Sequence, residues 1–107
     1  MINYGRHYIN KKDISSVVRV LKSKFLTQGS QVPIFEKKLS TFFGSKHSVA
    51  VSNGTVALYL AGKVLGWTNK NDHILVSPIT FAAGANAVEL NNATVGFVDI
   101  DPQTYCL

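Results

Sequence analysis

Apolar residues recur along the first forty positions with the spacing of a helix. Ile14, Val17, Val18 and Leu21 stand at i, i+3, i+4 and i+7, which makes one apolar face. Asn10 precedes that run and Asp13 follows it by three. A short polar side chain at the cap and an acid in the first turn both suit the unpaired amides there. A helix is therefore predicted from Asn10 to about Lys22, with Arg19 and Lys22 on the outside. A second stripe, Ile34, Phe35, Leu39, Phe42 and Phe43, predicts a helix that begins near Pro33, buries the stripe, and ends at Gly44. Loop 23–31 joins the two. Its large apolar side chains, Phe25 and Leu26, either pack beneath it or face a ligand.

The pattern then changes. Residues 47–51 are an apolar run that reads as a buried strand. Ser52-Asn53-Gly54-Thr55 is a small polar turn, and residues 55–65 read as a helix closed by Gly66. A short strand is expected at 73–76 and a helix of small residues at about 82–90. A last strand is expected at 94–98, closed by Asp99, Asp101 and Pro102. Two helices followed by β-α-β-α-β imply an α/β fold with a parallel or mixed sheet. Ligands in such sheets sit beyond the C-terminal ends of the strands. Residues 52–55 and 77–81 both occupy that edge. The turn at 52–55 is also a natural anion seat, because the first amides of a helix lack internal partners and the dipole is positive there.

Composition narrows the classes. The chain has 107 residues, 46% of them hydrophobic, enough for one small core and too apolar for a disordered chain. Its net charge of +5 comes from scattered basic residues, so no nucleic-acid patch stands out and no nucleic-acid partner is expected. A single cysteine, Cys106, rules out an internal disulfide and fits a cytoplasmic setting. No run approaches the ~18 apolar residues of a membrane span, and no membrane partner is expected. The histidines and Cys106 show no metal-ligand spacing. No G-x-G-x-x-G, Walker or nucleophile-elbow motif is present. The chain closes on Tyr105, Cys106 and Leu107, apolar residues with nothing after them to pack against. It is expected to be a single incomplete domain cut from a larger protein.

Taken singly, the candidate residues have plain structural readings too. The turn at 52–55 can be an ordinary helix start capped by Thr or Asn. Phe81 can be a core aromatic, loop 24–27 a surface loop anchored by Phe25 and Leu26, and Tyr4 a terminal aromatic covering the domain. Asp99 and Asp101 serve as turn formers.

Their order is more specific. Tyr4-Gly5-Arg6, Phe25-Leu26-Thr27-Gln28-Gly29, Val32-Pro33 with Phe35-Glu36, Ser52-Asn53-Gly54-Thr55, Ser77-Pro78-Ile79-Thr80-Phe81 with Ala85-Asn86-Ala87, and Phe97-Val98-Asp99-Ile100-Asp101-Pro102 occur in series. This series resembles the N-terminal part of DegT-type nucleotide-sugar aminotransferases, pyridoxal-phosphate enzymes of the aspartate-aminotransferase fold (fold type I). The loop from Lys24 to Gly29 looks most like the PseC branch, which aminates a UDP-linked 4-keto-6-deoxy-N-acetylhexosamine on the route to pseudaminic acid.

The resemblance implies the start of the large, cofactor-binding domain. It implies that Gly54 and Thr55 bind the cofactor phosphate and that Phe81 stacks on the pyridine ring. It implies that Tyr4, Lys24, Phe25, Leu26, Thr27 and Gly54 touch a UDP-sugar substrate, that glutamate is the usual amino donor, and that the longer protein is a homodimer. The family often has Ser-Ala-Thr where this chain has Asn53-Gly54-Thr55, so a methyl contact is missing here. The Schiff-base lysine and the acid facing the pyridine nitrogen are expected beyond residue 107, and the chain alone is expected to be inactive. A DegT-family sugar dehydratase, a regulatory relative, and a small non-enzymatic anion-binding α/β module are the alternatives.

Overall fold

The computed structural model describes residues 5–107. Expected from sequence to form one incomplete domain, the chain divides into two compact units, one ending at Ala50 and one running from Val51 to Leu107.

The first unit holds helices α1 (Lys11–Leu21) and α2 (Gln31–Phe43). The start of α1 is fixed by a reciprocal capping box. Asn10 Oδ1 accepts from the amides of Lys12 at 2.8 Å and Asp13 at 3.2 Å. Asp13 Oδ2 in turn accepts from the Asn10 amide at 2.9 Å. Three donors that the helix cannot satisfy internally are thereby paired. Asn10→Ala is expected to cost α1 about 1 kcal/mol. It should appear as roughly five-fold faster hydrogen exchange through the first turn of α1, with α3 and α4 unaffected.

Helix α2 starts two residues before Pro33, which falls in its first turn, and ends at Gly44 in the left-handed region with φ 66°. The expected buried stripe is not buried. Phe42 and Phe43 are 81% and 71% exposed, Ile34 and Phe35 are also exposed, and Ser40 is the buried residue of this helix. Phe42 and Phe43 meet edge to face with ring centres 5.0 Å apart. Periodicity specifies which residues share a face. Burial needs a second surface, and none of the described elements of this unit covers this one. The apolar face of α1 is bare for the same reason.

The strand expected at 47–51 is absent as well. These residues have no ladder partner, and Val49 is 74% exposed. The Ala50 amide donates instead to Glu36 Oε1 at 2.8 Å. An apolar run supplies only one side of a strand pair, and the ladder needs a neighbouring edge.

The second unit is α3 (Gly54–Val64), β1 (His73–Val76), α4 (Ala83–Leu90) and β2 (Thr94–Phe97). The strands pair in parallel, with His73 opposite Thr94 and Val76 opposite Phe97. Bonds from Thr94 N to Asp72 O (2.8 Å) and from Val98 N to Val76 O (3.1 Å) extend the ladder at both ends. Helix α4 is the crossover that parallel pairing requires, and it packs on α3 and on both strands. Its small residues permit this. Ala83, Ala87, Val88 and Ala93 form the core, with Asn91 wholly buried among the polar residues. Gly66, at φ 81°, follows the end of α3.

Candidate functional site

A cavity of about 1020 Å³ opens in the second unit, where three chain segments and Leu107 meet. The start of α3 gives Asn53, Gly54 and Thr55. The C-terminal end of β1 gives Val76 and Ser77, and the approach to α4 gives Phe81. The parallel crossover explains the convergence. The chain leaves β1 at its C-terminal end, so the approach to α4 starts at that edge, where such sheets bind ligands, before α4 returns to the start of β2.

At the α3 start, Asn53 is the cap, with extended backbone (φ −165°, ψ 171°). Its Oδ1 accepts from Val56 N at 2.9 Å, and its carbonyl accepts from Ala57 N at 3.2 Å. The Gly54 and Thr55 amides are the first two of the helix. They have no partner among the described residues, and neither has the Thr55 hydroxyl. A Cβ built on Gly54 would meet nothing within 4 Å, so the space in front of these donors is open. Two aligned amides, a hydroxyl and the positive end of an eleven-residue helix suit a phosphate group. The lining contains no lysine, arginine, aspartate or glutamate side chain, so the donors that face an anion here are neutral.

Phe81 is 80% exposed and lines the same cavity. It is not a core aromatic; its ring is bare beside the free amides. A flat ligand ring could lie against it at little conformational cost. Ser77, whose Oγ accepts from Ile79 N at 3.1 Å, shapes the turn that leads to it. Gly54, Thr55 and Phe81 thus line one cavity. The residues fit a phosphorylated aromatic group.

Sequence reasoning missed one contributor. Leu107 lines the cavity. Its approach is set by a turn in which Asp101 Oδ1 accepts from the amides of Thr104 and Gln103 at 2.8 Å each. Those bonds hold the Asp101 carboxyl below its ordinary value. The turn's contribution is therefore present above the ordinary carboxylate pKa and is lost as pH falls through the depressed one. Gly62 and Asn91 lie farther from the cavity, and no motif or spacing marks either.

The other candidates lie elsewhere. Tyr4 is outside the described residues. Lys24, Phe25 and Leu26 belong to the first unit and line a separate cavity of about 400 Å³ with Gln28 and Gly29; Thr27 is not in its lining. Phe25 and Leu26 are 62% and 64% exposed, so they are not packed beneath the loop. The Lys24 ammonium sits 5.4 Å from the centre of the Phe25 ring. A Cβ on Gly29 would come within 2.9 Å of the Phe25 carbonyl oxygen, so the loop closes only around glycine. Among the described residues no group of three metal-ligating side chains occurs, and no helix is long and apolar enough to cross a membrane.

Comparison with known proteins places the chain. The spore coat polysaccharide biosynthesis protein SpsC of Bacillus subtilis is 41% identical over 101 residues, covering 94% of this chain and 26% of SpsC. The UDP-4-amino-4,6-dideoxy-N-acetyl-beta-L-altrosamine transaminase of Campylobacter jejuni (serotype O:23/36) is 40% identical over 100 residues, with the same two coverages. Among solved structures, the PLP form of the putative sugar aminotransferase Spr1654 from Streptococcus pneumoniae superposes with a TM-score of 0.86 at 28% identity, covering 97% of this chain and 26% of that one. The chain therefore spans about a quarter of the length of the relatives it matches. The α/β architecture is that of the N-terminal portion of fold-type-I aminotransferases. The sequence pattern of the DegT/DnrJ/EryC1/StrS aminotransferase family matches residues 7–107, and the chain belongs to that family.

Proposed function

We propose that this chain supplies the phosphate seat and the ring platform of a pyridoxal-phosphate site in a nucleotide-sugar aminotransferase. The observation that carries the reading is that Gly54 and Thr55, and Phe81 far from them in sequence, line one cavity with two free helix-start amides and no charged side chain. Gly54 and Thr55 bind the phosphate through their amides and the Thr55 hydroxyl. Phe81 fixes the tilt of the ring. Asn53 keeps the α3 start rigid by capping Val56 N. When bound, the cofactor supplies the electron sink that amino-group transfer needs. The lysine that anchors it and the acid that faces its ring nitrogen belong, on this reading, to the longer protein.

The finer assignment is a UDP-linked 4-keto-6-deoxy-N-acetylhexosamine as acceptor and glutamate as donor, in a homodimer, on a route to pseudaminic acid or a related surface sugar. It is supported by the likeness to the Campylobacter transaminase and by the loop carrying Lys24, Phe25, Leu26 and Thr27. Those residues, with Tyr4 and Gly54, are assigned to substrate contact. Thr55→Val in the full-length protein tests the site. It removes one hydroxyl at nearly constant shape, and a bond to a charged group is worth about 1.5–3 kcal/mol. Cofactor affinity should drop by about ten-fold or more. Unchanged retention of pyridoxal phosphate would overturn the phosphate assignment.

A further inference from the structure

Helices α3 and α4 each begin at the cavity. Gly54 is the first residue of α3, and Phe81 stands two residues before the first of α4. The phosphate seat and the ring platform are therefore on two different elements, and something must fix their separation.

The contact that does so lies toward the other ends of the helices. Gly62 of α3 is buried against Asn91, the residue that ends α4. A Cβ on Gly62 would fall 2.5 Å from Asn91 Nδ2 and 2.6 Å from Trp67 Cε3. Any side chain there displaces the Asn91 amide or the Trp67 ring. Asn91 is 0% exposed, and its Nδ2 donates to Tyr59 O in α3 at 3.0 Å and to Ala87 O in α4 at 2.7 Å. One amide group thus bonds both helices, and hydrogen bonds are directional, so it restrains sliding as well as separation. Asn91 Oδ1 is buried with no partner among the described residues. A buried unpaired acceptor is costly, and an apolar side chain of the same volume would avoid that cost. The amide gives the site a directional link between helices rather than a large gain in stability.

Resting on the proposed cofactor site, we infer that Gly62 and Asn91 are positioning residues: their contact sets the spacing between the Gly54–Thr55 phosphate seat and the Phe81 ring. From Gly62 back to Gly54, and from Asn91 back to Ala83, is eight residues each. At 1.5 Å per residue both arms are about 12 Å long. Opening the contact by about 1 Å to admit a methyl group moves the cavity ends by a similar amount. Binding sites tolerate only about 0.5 Å of such error. Pyridoxal phosphate joins its phosphate to its ring through only a methylene and an ester oxygen, so it spans a limited range of separations and reads the spacing. Inorganic phosphate needs only the α3 start and does not.

The test uses the full-length protein with Gly62→Ala and Asn91→Leu, titrated with pyridoxal phosphate and separately with inorganic phosphate. Cofactor affinity should fall by about ten-fold or more in both variants, inorganic phosphate affinity should stay within about two-fold, and the induced circular dichroism of the bound cofactor should change as the ring tilts. Asn91→Leu keeps the branching and number of heavy atoms in the side chain while removing both donated bonds; it decides the matter if Gly62→Ala does not fold. Parallel loss of both affinities would mean general damage and would overturn the inference, as would no change in either. A wild-type protein that binds inorganic phosphate but no pyridoxal phosphate would instead sink the proposed function itself.

Discussion

Replacing Gly54 with proline is expected to weaken cofactor binding by about 10- to 100-fold while α3 stays folded. Proline is well suited to the first position of a helix, because the amide it lacks has no intrahelical acceptor there and its φ is already helical. The residue before proline must be extended, and Asn53 already is, at φ −165° and ψ 171°. A Cβ at position 54 meets nothing within 4 Å. The fold therefore accepts the substitution, and the loss is one donated bond to a phosphate, worth about 1.5–3 kcal/mol, with ring bulk added at the seat. Gly54→Ala is the control. It keeps the amide and adds a methyl group into open space, so it should bind the cofactor nearly as well as the parent. Fluorescence titration of the full-length proteins with pyridoxal phosphate reads the difference, and far-UV circular dichroism checks the helix. Equal affinity of the proline variant and the parent would remove the Gly54 amide from the site.

That experiment is possible because the α3 start was legible in the sequence. A small polar turn before an apolar helical run states its own chemistry: a cap, free amides and room for a ligand. Strand β1 was legible to the residue, and α1 to within one residue of its end, for the same kind of local reason. The Asn10 and Asp13 side chains each accept from the other's backbone amide, and His73 to Val76 is a short apolar run between turns. The readings that failed needed information from outside the segment. Residues 47–51 are apolar enough for a strand but have no edge to join. The α2 stripe is helical and apolar, yet Phe42 stands 81% exposed. Phe81 needed the same correction to its plain reading, since an aromatic near a strand end is usually covered and this one is bare. Gly62 and Asn91 were invisible for a further reason. A glycine inside a helix and an asparagine after one are ordinary residues, and only the approach of two distant segments makes them matter.

Val88→Asp is expected to have the largest effect on the second unit, abolishing its cooperative folding near neutral pH. Val88 is 1% exposed and is the largest fully buried apolar side chain. Helix α4 rests on α3, β1 and β2, so a fault at Val88 is felt by every element around the cavity. An uncompensated buried charge typically costs about 3–5 kcal/mol, and loss of the valine packing adds to it. That is comparable with the whole stability of a small domain, about 5–15 kcal/mol. The sign of the pH dependence separates charge from shape. Burial favours the neutral carboxyl, so the folded-state pKa of the new aspartate is raised above its unfolded value. The folded state then binds more protons than the unfolded one between those two values, and stability rises as pH falls through that window. Val88→Asn, which has nearly the same shape and no charge, should be destabilised less at neutral pH and should show no such recovery. Thermal melts of both variants between about pH 4 and 8 give the answer. A melting temperature for Val88→Asp that does not rise on acidification would show that the position is not the dry core on which both walls of the cavity depend.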